Sequence, residues 1–342
     1  MPRDIVDRLY ATGNASDREL ASLIMLEEPS QLRKAAMARL LEVYGKDVFI
    51  RGLIEFTNCC RNDCYYCGIR AGHQGLVRYR MDLPGTMQVV KEGYSLGFRT
   101  FVLQGGEDPH YSDGDICSLV AAIKGAFPDC AVTLSIGEKA KESYQAYFDA
   151  GADRFLLRHE TASKDHYSFL HPSVMSFENR RRCLRDLKDI GYQVGAGFMV
   201  GSPGQTIDNL VSDLRYLQEL QPDMVGIGPF IPADGTPFAS EPAGSVEVTL
   251  NLISIIRLML PHAMIPSTTS LSSLDPKGCE HGLEAGANVL MPNLTPSPLR
   301  CHYSLYDHKS SAGADVVRDG SLRRRLLAIG RDYVVSRGDV VK

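Results

Sequence analysis

A chain of 342 residues can bury a large core, and its length suits either about two domains or a single barrel. Its 44% hydrophobic and 23% charged residues are typical of a globular protein and exclude a disordered or membrane-embedded chain. The net charge of −4 offers no basic surface, and no segment approaches about 18 consecutive apolar residues, so we expect no nucleic acid and no membrane as partner.

The cysteines and the amino-terminal segment together predict where the protein works. No uninterrupted apolar stretch near the amino terminus could serve as a signal peptide, so we expect a cytoplasmic location. In that reducing compartment, nine cysteines indicate metal or redox chemistry rather than a framework of disulfides.

The first part of the chain predicts helices. Apolar residues recur every three or four positions in SDRELASLIMLEE and in QLRKAAMARLLEVYG, which is the spacing of one helix face. We therefore expect a helical extension over 1–48, a barrel over 49–310, and a helical tail over 311–342 that packs on the barrel.

From residue 49 onwards, short apolar runs alternate with amphipathic helical patterns. Eight runs are typical of strands: 52–57, 100–104, 131–136, 154–158, 194–200, 224–231, 263–268 and 287–293. Four glycines suit the turn from a helix into the next strand: Gly97, Gly151, Gly191 and Gly286. Buried strands separated by helices pair in parallel, so we predict an α/β fold with a (β/α)8 TIM-type barrel. A doubly wound sheet would show the same alternation, so the parallel order is the firmer part of this prediction.

The unusual residues fall where barrel enzymes carry their chemistry, in the loops that follow the strands. These loops include CCRNDCYYCG (59–68) after the first strand, GGEDP (105–109) after the second, RHETA (158–162) after the fourth, GSPGQT (201–206) after the fifth and NLTPSPLRCHY (293–303) after the eighth. The sequence therefore predicts one active face, at the carboxyl ends of the strands.

The first of these loops predicts a metal cluster. Cys60, Cys64 and Cys67 have C-x3-C-x2-C spacing, whereas zinc sites normally take four ligands and no second pair of cysteines is spaced to complete one. Three thiolates can hold three irons of a [4Fe–4S] cluster and leave the fourth iron open for a substrate or cofactor. Cys59 is then the spare thiol.

The alternative is that these thiols are small buried apolar side chains, or hold a metal without catalysis. We favour the buried role for the isolated cysteines: Cys117, Cys130, Cys183, Cys279 and, although it lies in a loop on the predicted active face, Cys301.

With Tyr66 before Cys67, the cysteine spacing resembles the cluster motif of radical S-adenosylmethionine (SAM) enzymes, and GGED resembles their motif for the methionine amino group. Within that superfamily the chain resembles the HydE family, the radical SAM maturases of [FeFe]-hydrogenase, from about residue 50 to 306. The segments that carry this resemblance are RGLIEFTN, LQGGEDP, RHETA, SFENR, GYQVGAGFMVGSPGQTIDNL, DMVGIGPFIP and NVLMPNLTPSP. Biotin synthase and methylornithine synthase are close relatives of this family.

The resemblance implies a cofactor pair and a reaction. One [4Fe–4S] cluster would pass an electron from a reducing donor to SAM, and the resulting 5′-deoxyadenosyl radical would act under anaerobic conditions on a small organometallic substrate or another small molecule. The product would serve assembly of the diiron subcluster of the hydrogenase, with the scaffold protein HydF and the maturase HydG as partners. Some family members hold a second cluster on carboxyl-terminal cysteines, and the tail of this chain has none, so we expect a single cluster.

Several residues match the groups that SAM presents. Gly105 and Gly106 let the backbone approach the methionine amino group, and Glu107 adds a negative charge or a structural hydrogen bond. Glu160 can accept hydrogen bonds from both ribose hydroxyls, and Arg180 can make a forked contact to the methionine carboxylate. For the last two, an ion pair on the barrel rim is the alternative.

Apolar walls for the adenine and ribose are expected from Tyr66, Met199 and Ile227. For Met199 and Ile227 a plain core position is nearly as good an interpretation.

Polar side chains that point into a barrel are costly unless a polar ligand occupies it. We expect such substrate contacts from Arg51, Thr133, Ser135, Arg158, Thr268, Thr269 and Tyr303. Two arginines in this set indicate an anionic substrate, such as a carboxylate or a metal-bound cyanide. His159 could act as an acid or base, but between Arg158 and Glu160 we favour a structural hydrogen-bonding role.

Two other functions stay open. A methylornithine synthase-like or biotin synthase-like enzyme, acting on a small carboxylate or amino acid, would use the same basic, hydroxyl-rich barrel. A non-catalytic iron–sulfur protein would complete its cluster with a fourth ligand and would not cleave SAM.

Overall fold

Short strands alternate with helices along most of the computed structural model, which describes residues 2–309 and 313–341. The strands are β1 (Asp47–Ile50), β2 (Gly52–Thr57), β3 (Thr100–Gly105), β4 (Ala131–Ser135), β5 (Arg154–Leu156), β6 (Gln193–Ala196), β7 (Met199–Val200), β8 (Met224–Val225), β9 (Gly228–Pro229), β10 (Val289–Leu290) and β11 (Asp332–Val334). The helices are α1 (Pro2–Thr12), α2 (Asp17–Ile24), α3 (Ser30–Tyr44), α4 (Leu83–Ser95), α5 (Asp113–Ala126), α6 (Lys141–Asp149), α7 (Lys164–Leu170), α8 (Phe177–Ile190), α9 (Ile207–Leu220), α10 (Val246–Met259), α11 (Thr269–Leu274), α12 (Gly278–Glu284), α13 (Ser297–Arg300), α14 (Asp315–Arg318) and α15 (Ser321–Ala328).

Parallel pairing runs around a ring of eight strand positions. Six strands form one sheet in the order β2–β3–β4–β5–β6–β8, and each neighbouring pair is parallel. Three single parallel bridges carry the pairing from β8 back to β2: Met224 with Met264, Pro266 with Val289, and Asn293 with Leu53. The predicted α/β barrel with a parallel sheet is confirmed.

Some predicted strands are shorter than their apolar runs. The run 263–268 contributes only single bridges, and Pro266 within it lacks the amide that a continuous ladder needs. The runs 194–200 and 224–231 each divide in two, into β6 and β7 and into β8 and β9. They divide where the backbone at Gly197 lies very close to the adjacent segment: a Cβ at Gly197 would lie 2.0 Å from the Gly226 carbonyl oxygen.

The amino-terminal extension is helical, as the sequence predicted. Helices α1, α2 and α3 all contact α10, whose sequence VEVTLNLISIIRLM is apolar on nearly every side. A helix of that kind must be buried on all faces. The extension therefore covers the outer face of α10, whose inner face packs on the barrel.

The carboxyl-terminal segment differs from the predicted helical tail. It contains α14 and α15, followed by the strand β11. Strand β1 lies between β10 and β11 and pairs in parallel with both. The predicted boundary at 310–311 lies outside the described residues, and the division into three parts stays a prediction.

Beyond β11, residues 337–339 close the amino-terminal end of the barrel. The carbonyl oxygen of Arg337 accepts hydrogen bonds from the Thr100 hydroxyl at 2.7 Å and from Arg154 Nη2 at 2.8 Å. Asp339 Oδ1 accepts from Arg154 Nη2 at 2.6 Å and from Gln193 Nε2 at 3.1 Å. Because Thr100, Arg154 and Gln193 begin β3, β5 and β6, this segment, here called the floor (337–339), lies beneath the strands.

Across the described residues, none of the helices has the length and apolar character that crossing a membrane requires.

Candidate active site

A cavity of about 330 Å³ opens at the carboxyl ends of the barrel strands. Its wall includes most of the residues that the sequence singled out: Tyr66, Gly105, Gly106, Glu107, Ser135, Arg158, Glu160, Arg180, Met199, Thr268, Thr269 and Tyr303, together with Cys60, Cys64 and Cys67. The loops after β2, β3, β4, β5 and β10 therefore converge on one site, opposite the floor (337–339).

The cysteine loop lies directly against the loop that follows β3. The thiols of Cys60, Cys64 and Cys67 belong to the cavity wall, whereas Cys59 Sγ points to the Tyr79 carbonyl oxygen at 3.8 Å. A Cβ at Gly106 would lie 2.3 Å from the Cys59 carbonyl oxygen and 2.5 Å from Cys60 Cβ. Only glycine at position 106 lets the two loops approach this closely.

The three thiols lie in an environment that favours their neutral form. Burial raises the pKa of Cys60 and, much further, that of Cys64. Burial, together with the neighbouring Cys60, raises the pKa of Cys67 to about 12. A bound iron cluster would supply the positive charge that stabilises thiolates here. Among the residues described, no three His, Cys, Asp or Glu side chains are grouped so that they could hold a single metal ion.

Glu160 and Arg158 offer unused polar atoms to the cavity. Glu160 Oε2 and Arg158 Nε and Nη2 are buried and have no hydrogen-bond partner, although Nη2 lies 3.3 Å from Oε2. Buried polar atoms are normally paired, so these atoms fit a site that takes a polar ligand with hydroxyl or carboxylate groups. SAM, which the sequence resemblance implies, carries both.

Arg180 is fixed from two sides. Arg180 lies near the beginning of α8. Its Nε pairs with Glu138, and its Nη1 donates to the Arg158 carbonyl oxygen at 2.8 Å. An arginine held in this way presents its guanidinium in one orientation, which suits a forked contact to a carboxylate.

Glu107 and Tyr66 have partners of their own. Glu107 Oε1 accepts from the Glu138 amide at 2.7 Å, so its carboxylate ties the loop after β3 to the loop after β4. The Tyr66 hydroxyl donates to His171 Nε2 at 3.0 Å, because His171 Nδ1 is 2.9 Å from the Tyr167 carbonyl oxygen and carries the ring proton. Burial lowers the pKa of His171 to about 3, which keeps its ring neutral.

Three of the predicted ligands do not reach the cavity wall. Arg51 lies at the other end of the barrel, where Nη1 contacts Met224 Sδ at 2.7 Å and Nη2 lies 3.5 Å from the Gly338 carbonyl oxygen. The prediction that Arg51 contacts the substrate is therefore wrong, because Arg51 lies against the floor (337–339). Thr133 lies one pleat deeper than Ser135, with a buried hydroxyl that has no partner, and Ile227 is a buried core residue.

Sequence reasoning missed a third cation in the cavity wall, beside Arg158 and Arg180. Lys309 pairs with Glu55 and donates to the Tyr303 carbonyl oxygen at 3.0 Å. Glu55 is fully buried on β2, and its other oxygen accepts from Asn293 Nδ2 at 2.8 Å. A single charge within the apolar run GLIEFT was the available signal for Glu55, whereas Lys309 follows no pattern.

Three comparisons with known proteins agree with this geometry. The profile of the Radical SAM superfamily matches residues 54–257. The [FeFe] hydrogenase maturase subunit HydE of Thermotoga maritima is 49% identical over 265 residues, which are 78% of this chain and 75% of that protein. The 3-methylornithine synthase of Methanosarcina acetivorans is 30% identical over 280 residues, 80% of this chain and 78% of that protein. The crystal structure of methylornithine synthase (PylB) has a TM-score of 0.84 and 26% identity, and covers 96% of this chain and 97% of its own.

Proposed function

The chain belongs to the radical SAM superfamily and, within it, to the HydE family, and from this premise we propose that it matures [FeFe]-hydrogenase. It is a radical SAM enzyme that uses a [4Fe–4S] cluster and SAM. When bound, this cofactor pair supplies a 5′-deoxyadenosyl radical by one-electron cleavage of SAM. One observation carries the choice of maturase: the chain shares far more identity with HydE than with 3-methylornithine synthase.

The chain's own residues would bind and orient the cofactors. Cys60, Cys64 and Cys67 would hold the cluster, and the backbone of Gly105 and Gly106, which belongs to the cavity wall, would receive the methionine amino group. That assignment leaves Cys59 and the isolated cysteines, including Cys301, as free thiols outside the cluster.

The two charged groups beside the cluster loop would hold the rest of SAM. Glu160 would accept from the ribose hydroxyls with Oε2, which has no hydrogen-bond partner in the protein although Arg158 Nη2 lies 3.3 Å away. Arg180 would pair with the methionine carboxylate, since Glu138 and the Arg158 carbonyl oxygen already fix its orientation.

The rest of the cavity would select the substrate. Arg158 and Lys309 provide cationic groups, Thr268 and Thr269 provide hydroxyls, and the ring of Tyr303 lies beneath Lys309 at 4.8 Å. Such a wall suits a small anionic molecule, and we propose the small organometallic iron species that HydE-type chemistry implies. The floor (337–339) closes the other end of the barrel, which limits the access of water and stray hydrogen donors to the reacting centre.

The partners are proposed on the same basis. The scaffold protein HydF would receive the product, HydG would act in the same assembly sequence, and a low-potential electron donor would reduce the cluster. Nine cysteines, none of them in a disulfide among the described residues, and a reduced cluster fit the reducing, anaerobic cytoplasm of such a cell.

A reconstitution experiment tests this function. Purified apo-hydrogenase, HydF and HydG are combined anaerobically with SAM and a reductant, and hydrogen evolution is measured with and without this protein. We expect activity only when the protein is present, and we expect Cys59→Ser to restore it while Cys60→Ser does not. If SAM is cleaved but no hydrogenase is activated, the maturase role is wrong. A rearranged amino acid found by mass spectrometry would then assign the chain to the methylornithine synthase type of reaction.

A further inference from the structure

A buried carboxylate lies behind the wall of the active site. Asp213 belongs to α9 and has no exposed surface, and no role in binding SAM or substrate accounts for it. Burying a carboxylate is costly unless it has partners, so its contacts show what it stabilises. Those contacts are confined to the segment that carries Arg158 and Glu160.

Asp213 holds that segment on both sides of Glu160. Its Oδ1 accepts a hydrogen bond from the amide of Ala162, two residues after Glu160. The same oxygen lies 3.3 Å from Nε2 of His159, one residue before Glu160. A single carboxylate oxygen therefore holds the backbone two residues after Glu160 and lies against the ring of the residue before it.

His159 adds a second anchor. Its Nδ1 accepts from the Gly197 amide at 3.3 Å, which places the ring proton on Nε2, the atom that faces Asp213. The Glu160 amide in turn donates to the Gly197 carbonyl oxygen at 3.1 Å. His159 and Glu160 are thus both tied to Gly197, and the imidazole ring of His159 lies between Gly197 and Asp213.

Glu160 needs this support because its backbone is strained. Its φ of +66° is in the left-handed region, which residues other than glycine seldom adopt. Such conformations persist where the surrounding structure enforces them, and they gather at binding sites. Here the enforced conformation brings the carboxylate of Glu160 into the cavity beside Arg158.

We propose that Asp213 and His159 are positioning residues that hold Glu160 in its left-handed conformation and thereby set the affinity for the ribose of SAM. This proposal rests on the proposed role of Glu160 as the ribose ligand. In this proposal neither Asp213 nor His159 contacts SAM. Both act by holding the backbone of Glu160 in place.

The test compares two ligands in the cluster-loaded full-length protein. Binding of SAM, and of an analogue that lacks both ribose hydroxyls, is measured by calorimetry for the unaltered protein, for Asp213→Leu and for His159→Phe. We expect the unaltered protein to prefer SAM by at least tenfold, and we expect both variants to lose most of that preference while their affinity for the analogue stays the same. A merely structural defect would weaken both ligands together.

Three further measurements keep the result interpretable. Asp213→Asn retains the oxygen that accepts from Ala162 and should keep the preference within about threefold. Asp223→Leu is the matched control, since Asp223 Oδ2 accepts from the Val194 amide at 2.9 Å at the opposite end of the barrel. It should leave the preference unchanged. Iron content and the midpoint of thermal unfolding report whether each variant folds, and His159→Phe leaves α9 intact if Asp213→Leu does not fold.

The outcomes separate the two proposals. If the unaltered protein prefers SAM and both variants keep that preference, the positioning role is wrong while the ribose contact stands. If the unaltered protein itself shows no preference, the ribose contact of Glu160 fails, and the positioning role fails with it.

Discussion

Four cysteines share one loop, yet only three of them line the cavity. Cys59 lies beside the others in sequence, but its thiol faces the Tyr79 carbonyl oxygen on the other side of the loop. The direction of each side chain, rather than its spacing in sequence, separates the proposed ligands from the spare thiol.

Replacing single cysteines tests this separation. Serine at position 60, 64 or 67 should abolish cluster retention, because a hydroxyl is a poor ligand for iron in place of a thiolate, whereas Cys59→Ser should retain about four irons per chain. Iron and sulfide analysis with visible absorption after anaerobic reconstitution measures this. Loss of the cluster in Cys59→Ser would show that the ligand set has been assigned in the wrong register.

The Glu55–Lys309 pair is the other feature of single residues with a measurable consequence. Glu55 is fully buried and Lys309 nearly so. Burial lowers the pKa of Lys309, and the opposing effect of the Glu55 carboxylate is smaller, so the pKa stays below its ordinary value. Removing one partner leaves an uncompensated charge inside the barrel.

Lys309→Met should therefore lower the free energy of unfolding by about 3 kcal/mol. Denaturation by urea, followed by circular dichroism, measures the change. The double variant Glu55→Gln with Lys309→Met should recover part of the loss. Lys164→Met is the control, because its pair with Glu178 is exposed on both sides and should contribute little to stability. Equal effects at positions 164 and 309 would contradict the buried pair.

At the level of single residues, sequence reasoning picked out residues that the structure brings to the cavity wall where the sequence pattern is local. The cysteine motif and the glycine pair can be recognised in the sequence because the residues of each motif lie within a few positions of one another. Arg51 and Lys309 were misjudged or missed because each has a partner that is remote in sequence: Gly338 is 287 positions from Arg51, and Glu55 is 254 positions from Lys309. Asp213 resembles any polar residue of an amphipathic helix until α9 is packed against the barrel.

Among the structural elements, the two loops after β2 and β3 depend on each other. Gly106 lies where any side chain would meet both the backbone of Cys59 and the Cβ of Cys60. The second loop therefore sets the position of the first cluster ligand.

Gly106→Ala should push the cysteine loop outwards. We expect destabilisation of about 1–3 kcal/mol from this overpacking and a clear drop in iron retained after gel filtration. Gly125→Ala is the matched control, since it lies exposed near the end of α5 with no atom within 4 Å of the added methyl group. That change should be neutral or stabilise by up to about 1 kcal/mol. Full iron retention in Gly106→Ala would mean that the loops adjust without loss.

The elements most accurately predicted from sequence are those with a strong repeating pattern. Strands buried on both faces, such as β3 and β4, are recognised in the sequence as apolar runs between helices. The seventh strand position is reduced to single bridges around Pro266, and β11 is short, half-exposed and paired with a strand nearly 300 positions away. Pairing over such a distance leaves no periodic signal in the local sequence.

The whole molecule has two unlike ends. The carboxyl end of the barrel opens into the cavity, whereas the floor (337–339) seals the amino-terminal end around Arg154. Arg154 also donates from Nε to Gln193 Oε1 at 2.9 Å, so all three of its nitrogens are engaged. At the closed end each guanidinium nitrogen of Arg154 is hydrogen-bonded, whereas at the open end Arg158 and Glu160 keep polar atoms without hydrogen-bond partners.

Acid should loosen the floor. Burial alone would raise the pKa of Asp339, but the hydrogen bond from Arg337 and the charge of Arg154 lower it to about 2. Because this folded-state pKa lies below the ordinary value of about 3.9, the stabilisation is fully present above about pH 4 and is lost as the pH falls towards 2.

Differential scanning calorimetry from pH 7 to pH 2 tests this. Asp339→Asn should lower the unfolding midpoint at pH 7 and flatten its fall between pH 4 and pH 2. Asp315→Asn removes an exposed carboxylate from α14 and should leave the shape of the curve unchanged. If Asp339→Asn and the unaltered protein lose stability in parallel below pH 4, the Asp339 carboxylate does not hold the floor.

The position of the floor in the chain has a consequence for how the protein is made. Residues 337–339 leave the ribosome after every barrel strand, yet the guanidinium of Arg154 is enclosed only once they have arrived. A nascent barrel would carry that cation without its counter-ion, so translation must pass the last strand before the structure can settle. Completion of the fold is thereby coupled to synthesis of the segment that follows β11.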